Sequence, residues 1–260
     1  MQTLHKAGLT LALLTALGLG GRAQAQTFNI AANPNPSLAA NPAQGYYYAD
    51  GSNQPTNASY FAGQVAINGA TPSNDPTHDY FTFDLSALNL TGRTITSATL
   101  NVPSYFGTSA SGQTSFRYTV YDVSTSPTAL NATQPVGNLG IYNDLGSGNS
   151  YGAFTVPVSA SGVLNFSLSG VALNDIRNSA GGDFSTGGVL SLTSGAALPA
   201  GSNEFLFAGS ENQNQAGQAR PTLTLVTAPV PEASTTVSLG LLLVLGVGGL
   251  AVARRRRVRA

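Results

Sequence analysis

The sequence predicts an all-β fold, a single β-sandwich with one short helix, flanked by an N-terminal signal peptide and a C-terminal transmembrane helix. Three observations carry this. Short runs of alternating apolar and polar residues recur between clusters of Gly, Pro, Asn and Ser, the pattern of strands with one buried face. The chain is 42% apolar but only 8% charged, against roughly 25% charged in ordinary soluble domains, so its polar surface is made mainly of hydroxyls and amides. Apolar segments with positive flanks occupy both ends.

The first element is residues 1–25. Lys6 provides a positive start, Leu9 to Leu19 a short apolar run, and Ala23-Gln24-Ala25 the small residues that a signal peptidase accepts. Cleavage is expected between Ala25 and Gln26; the alternative is an uncleaved anchor. Residues 26–45 follow, with "NIAANPNPSLAANPAQG" too rich in Pro and Asn to hold regular structure on its own.

The sandwich is expected over residues 46–228. "DYFTFDL" sets Phe81, Phe83 and Leu85 on one face, and "TITSATLNV" does the same with Ala98, Leu100 and Val102. "FRYTVYDV" opposes Phe116, Tyr118 and Val120 to Arg117, Thr119 and Tyr121. "AFTVPV" aligns Phe154, Val156 and Val158, and "VLNFSL" aligns Leu164, Phe166 and Leu168. Further strands are expected near Val189, Phe205 and Leu223. The one helical pattern is "VALNDIRNSA", with Leu173, Ile176 and Ala180 at helical spacing. No internal repeat is visible.

The last element is residues 229–260. Thr235 to Ala253 is apolar apart from hydroxyls and glycines, long enough to cross hydrocarbon as a helix. Arg254, Arg255, Arg256, Arg257 and Arg259 follow, and such a cluster stays cytoplasmic. Residues 26–228 then face outward, the same side that the signal peptide demands.

Charge and composition exclude several function classes. Between Gln26 and Ala228 four arginines face ten acids, so there is no basic face for nucleic-acid phosphates. The absence of cysteine removes disulfides, thiolate metal sites and cysteine nucleophiles. The single histidine of this region, His78, lies in "NDPTHDY" with no nucleophile-elbow sequence anywhere, and reads as a solvated loop residue rather than a triad base. Glu204 and Glu211 are its only glutamates; a glycosidase pair would need them to share a cleft, and a strand-edge or Arg220 contact is the plainer reading. No catalytic residue and no metal ligand set is assigned. A structural calcium near Asn74, Asp75 and Asp79 is the one cofactor kept open, although the spacing is not that of an EF-hand. Tyr46, Tyr47, Tyr48, Tyr60, Phe61 and Tyr105 offer aromatic surface for stacking on sugars, or else half of them are core.

Two resemblances extend this reading. Val230-Pro231-Glu232-Ala233-Ser234, a glycine-rich apolar run and an arginine cluster together resemble a PEP-CTERM protein-sorting signal, with Ala233 where the second proline is typical. The resemblance implies processing by exosortase, a membrane enzyme of Gram-negative bacteria, and association with exopolysaccharide and biofilm. A permanent tail anchor is the competing reading. Separately, "DYFTFDLSALNLTGRTITSATLNV" and the later Ser210-Glu211 with Arg220-Pro221-Thr222-Leu223 resemble DNRLRE-type domains, which implies a jelly-roll sandwich related to carbohydrate-binding modules.

The expected protein is therefore exported and non-enzymatic. It is held transiently in the inner membrane facing the periplasm, then released to the cell surface or extracellular matrix. Its expected partners are signal peptidase, the secretion machinery, exosortase and exopolysaccharide, with a carbohydrate-binding role as the alternative and a glycoside-active enzyme as the least favoured.

Overall fold

A computed structural model describes residues 24–32, 44–53, 59–64, 76–207 and 220–230. Ala23, Pro231–Ser234, the apolar run 235–253, the arginine cluster, Asn74, Asp75, Ser210 and Glu211 lie outside the described residues. Among the described residues no helix is long and apolar enough to cross a membrane.

The chain divides into two compact units. The described part of the smaller comprises 24–26, 92–94 and 228–230, where Arg93 donates to the Gln24 carbonyl and the Val230 N–H to the Gly92 carbonyl, each at 2.8 Å. The larger, residues 27–91 and 95–227, is mostly β and holds the hydrophobic core.

Among the described residues twelve strands form in chain order: β1 (Gln26–Ala31), β2 (Gln44–Tyr48), β3 (Ala62–Gln64), β4 (Pro76–Asp84), β5 (Arg93–Ser104), β6 (Thr108–Ser109), β7 (Ser115–Asp122), β8 (Ser150–Pro157), β9 (Gly162–Ser167), β10 (Asp183–Leu192), β11 (Glu204–Leu206) and β12 (Thr222–Pro229). One sheet runs β1-β12-β5-β9, and the other β6-β11-β3-β4-β10-β7-β8 with β2 also on β4. The pairs β4–β10, β10–β7, β7–β8 and β5–β9 are all antiparallel. Alternation decides which faces meet. Ala98, Leu100 and Val102 of β5, Phe166 of β9 and Leu223 and Leu225 of β12 share one core with Phe81 and Phe83 of β4 and Phe116, Tyr118 and Val120 of β7. This is sandwich-like packing, each sheet burying its apolar face against the other.

The expected strands and the expected helix are present. Helix α3 (Gly170–Asn178) buries Ala172 and Ile176, with Leu173 and Ala180 packed against the core. The single-helix expectation is corrected, since α1 (Pro127–Leu130) and α2 (Leu139–Leu145) are also helical. In α1 the Ser126 hydroxyl caps the Ala129 N–H at 3.3 Å and proline opens the turn. Both helices are too short to declare a period in sequence; they are held by a second cluster in which Leu130, Ile141 and Leu145 cover Tyr47 and Tyr80. The segment 26–45 also differs from expectation, because Gln26–Ala31 is a strand. Its Phe28 and Ile30 pack against the core, and backbone pairing to β12 overrides weak local preference.

Strand β10 is longer than its sequence suggests, since "GG" reads as a turn. Here Gly187 and Gly188 lie mid-strand, and each serves one face of the sheet. A Cβ on Gly187 would strike the backbone of Leu145 in α2, and one on Gly188 would strike the Tyr118 hydroxyl and the Asp79 carboxylate.

Candidate functional site

His78 and Asp79 are neighbours on β4 and enter opposite environments. The His78 ring stacks on Tyr142, with centroids 3.9 Å apart and planes within 9°, and its Nδ1 lies 2.8 Å from the Tyr142 carbonyl. Burial lowers its pKa to about 4, and the hydrogen bond to Tyr142 only partly opposes this. The expectation of a solvated loop histidine is corrected: His78 is a strand residue packed under α2, and among the described residues no serine or threonine hydroxyl bonds to it.

Asp79 is fully enclosed and accepts from the Tyr118 hydroxyl at 2.9 Å (Oδ1) and 3.2 Å (Oδ2). Burial raises its pKa to about 7, against the lowering effect of Tyr118. Its carboxyl is turned into the core toward Tyr118, and its expected companions Asn74 and Asp75 lie outside the described residues. Among the described residues no group of three or more His, Asp or Glu side chains is placed to hold a metal ion.

The aromatic surface is also corrected. Tyr46, Tyr47, Tyr48 and Tyr60 are buried. Tyr47 donates to the Leu130 carbonyl at 2.8 Å, and Tyr60 to the Pro103 carbonyl at 2.6 Å. Tyr46, Phe61 and Phe205 form an edge-to-face row that ends on Phe106, with centroids 5.2–5.7 Å apart. Of the expected aromatics only Tyr105 is exposed, together with Phe106, which sequence reasoning passed over.

Glu204 stands on β11 between Gln64 of β3 and Ser109 of β6. Its Oε1 accepts from the Ser111 N–H at 2.7 Å. Burial would raise its pKa, but the hydroxyls of Ser109, Ser111 and Ser202 and the Ser111 N–H outweigh burial and hold it below the usual carboxylate range.

A cavity lies where β7, β8, β10, α1 and α3 meet. It has a volume of about 270 Å³, near the lower end of small-molecule sites. Three carboxylates, Asp122, Asp175 and Asp183, face it beside Tyr151 and several hydroxyls. Tyr151 donates to Asp175 at 3.0 Å and stacks with Phe184 at 5.8 Å. Asp122 is held by the Asn149 N–H at 2.7 Å and amide at 3.2 Å. The rim at Ser124 and Thr125 is fixed by Asp144, which takes both hydroxyls at 2.7 and 2.6 Å. Burial, followed by the charge of Asp84 across the strand pair, raises the pKa of Asp183. No basic side chain lines the cavity. It is a set of hydrogen-bond acceptors around one aromatic pair, suited to a neutral ligand rich in hydroxyls. Sequence reasoning missed it because its residues come from five separate elements.

No family model and no curated protein matches this chain.

Proposed function

We propose that the chain is an exported, non-enzymatic cell-surface or extracellular-matrix protein, with a jelly-roll-like sandwich delivered by a processed C-terminal signal. One observation carries this: the proline–acid motif Val230–Ser234, the apolar run 235–253 and the arginines Arg254–Arg257 and Arg259 stand in the order that an exosortase reads. The reading is supported by where the last strand stops. β12 ends at Pro229, and the side chain of Val230, the first residue of the motif, is half exposed. A simple tail anchor has no need of a proline–acid motif at the outer membrane edge. The mass of the mature protein taken from cells tests the proposal. A C-terminus near Glu232 is expected, and an intact Ala260 overturns it in favour of an anchor.

A second reading is favoured by the cavity at Tyr151: binding of a polyhydroxy ligand such as exopolysaccharide. Pull-down with the native exopolysaccharide is expected to retain the wild-type protein, and Asp175→Asn with Tyr151→Phe to weaken retention. Equal retention of wild type and double variant removes the cavity from the reading.

A further inference from the structure

We propose that strand β9 is an interface for a second copy of this chain, which pairs with it edge to edge across a two-fold axis. The reasoning starts from backbone hydrogen bonds. β9 pairs with β5 on one side, and among the described residues no strand pairs with its other side. The Leu168 N–H, just beyond β9, donates to the Ala98 carbonyl of β5 at 2.9 Å. In an antiparallel ladder successive residues turn their N–H and C=O groups to opposite sides. Gly162, Leu164 and Phe166 therefore point these groups at β5, as Leu168 does. Val163, Asn165 and Ser167 point theirs at the open edge. Pro103 agrees with this phase: it lies opposite Val163 and has no N–H to offer across that pair. Val163, Asn165 and Ser167 are also exposed.

An open edge invites pairing, and folded proteins guard theirs with short strands, prolines, bulges or charges. The strands at the other three sheet ends are guarded. β6 is two residues long. β8 meets a register shift between Val120 and Tyr121 and stops at Pro157. β1 leads through Ala32 into a bridge with Phe83 of the other sheet. β9 has none of these devices. Its six residues, GVLNFS, include no charge and no proline, and they pair with β5 in unbroken register.

The occupant that fits is another β9 running antiparallel. Opposed residues in such a pair share a face of the sheet, and the open groups belong to Val163, Asn165 and Ser167, so these must meet one another. Setting Asn165 against Asn165 of the second copy places Val163 against its Ser167, and Ser167 against its Val163. Each of these three pairs then exchanges two hydrogen bonds. A slip of one pleat repeat in either direction loses one of the pairs. On the inner face Leu164 meets Phe166 of the second copy, an apolar contact beside the existing core. No like charges meet along the edge. Two-fold symmetry supplies the matching row of donors and acceptors from the same six residues. The pairing depends neither on the processing of the tail nor on the cavity at Tyr151.

The test is sedimentation equilibrium of the mature protein at high micromolar concentration, with circular dichroism as the check on folding. A dimer is expected for wild type and for Asn29→Lys on the β1 edge. Asn165→Lys, which sets two ammonium groups face to face on the axis, is expected to be monomeric. Disulfide trapping reads the register and remains informative if Asn165→Lys does not fold, because the chain has no cysteine of its own. Asn165→Cys puts the two thiols on opposed residues with Cα atoms about 5.5 Å apart, a distance that a disulfide spans. Ser167→Cys puts them about four residues apart along the pair, roughly 14 Å, beyond that reach. Oxidation is expected to convert Asn165→Cys to a covalent dimer and to leave Ser167→Cys unlinked. A monomeric wild type overturns the proposal. So does a dimer that survives Asn165→Lys or is lost in Asn29→Lys, or linkage of Ser167→Cys as readily as of Asn165→Cys.

Discussion

Asp79→Asn isolates the most perturbed carboxyl of the core. In the fold the Asp79 pKa is raised to about 7, chiefly by burial, whereas in an unfolded chain it is near 3.8. The folded state therefore holds its proton more tightly. The stability this contributes is fully present below about pH 4 and is lost as pH rises through about 7. At about 1.36 kcal/mol per pH unit over this window, the loss is about 4 kcal/mol as an order of magnitude. Asparagine keeps an oxygen for the Tyr118 hydroxyl but carries no titrating proton. Its amide N–H₂ adds a cost of about 1–3 kcal/mol if unpaired, but that cost does not vary with pH. The unfolding free energy of the variant minus that of wild type should thus rise by about 4 kcal/mol from about pH 4 to about pH 8. Urea denaturation at a series of pH values reads this difference directly. The His78 titration is present in both proteins and cancels. A difference that stays flat across the range would refute the reasoning, because it would mean that Asp79 is ionised throughout.

Three further outcomes follow from the same region. His78, whose pKa is lowered to about 4, contributes stability that is present above about pH 6.5 and lost as pH falls through 4; its ring resonances in an NMR titration should move near pH 4, and a midpoint near 6.5 would count against burial. Gly188→Ala should destabilise by about 3 kcal/mol or more in urea denaturation, since its Cβ meets Asp79 and Tyr118 where neither can retreat, whereas Gly92→Ala meets no neighbouring atom and is limited to the strain of a φ of 65°. Tyr47→Phe should cost about 1–2 kcal/mol in the same assay by leaving the Leu130 carbonyl without its donor at 2.8 Å.

Strands whose apolar face is buried were legible one by one. Phe81, Phe83, Leu100, Val102, Phe116, Tyr118 and Val120 alternate in sequence and are enclosed in the core, because a period of two is a local property of the backbone. Helix α3 was legible for the same kind of reason, its Ile176 recurring at helical spacing. The segments that failed lack a period of their own. β3 and β6 are three and two residues long and exist because neighbours pair with them, and α1 and α2 exist because Leu130 and Leu145 close over Tyr47 and Tyr80. The tyrosine run 46–48 looked like a surface for sugars, but pairing to β4 buries all three rings.

The candidate sites divide along the same line. By itself, the sequence determined the β class, the core faces of the long strands, the acidic balance of the central region and the layout of the tail motif, since each is written in adjacent or regularly spaced residues. Only the tertiary structure decided that Asp79 is a core carboxyl bonded to Tyr118, that Glu204 stands beside Gln64, and that Asp122, Asp175 and Asp183 line one cavity with Tyr151. Those groups are 39, 140 and up to 61 positions apart in the chain. Their chemistry depends on burial and on which neighbours supply hydrogen bonds, and both are set by how the strands pair and by which loops close over them.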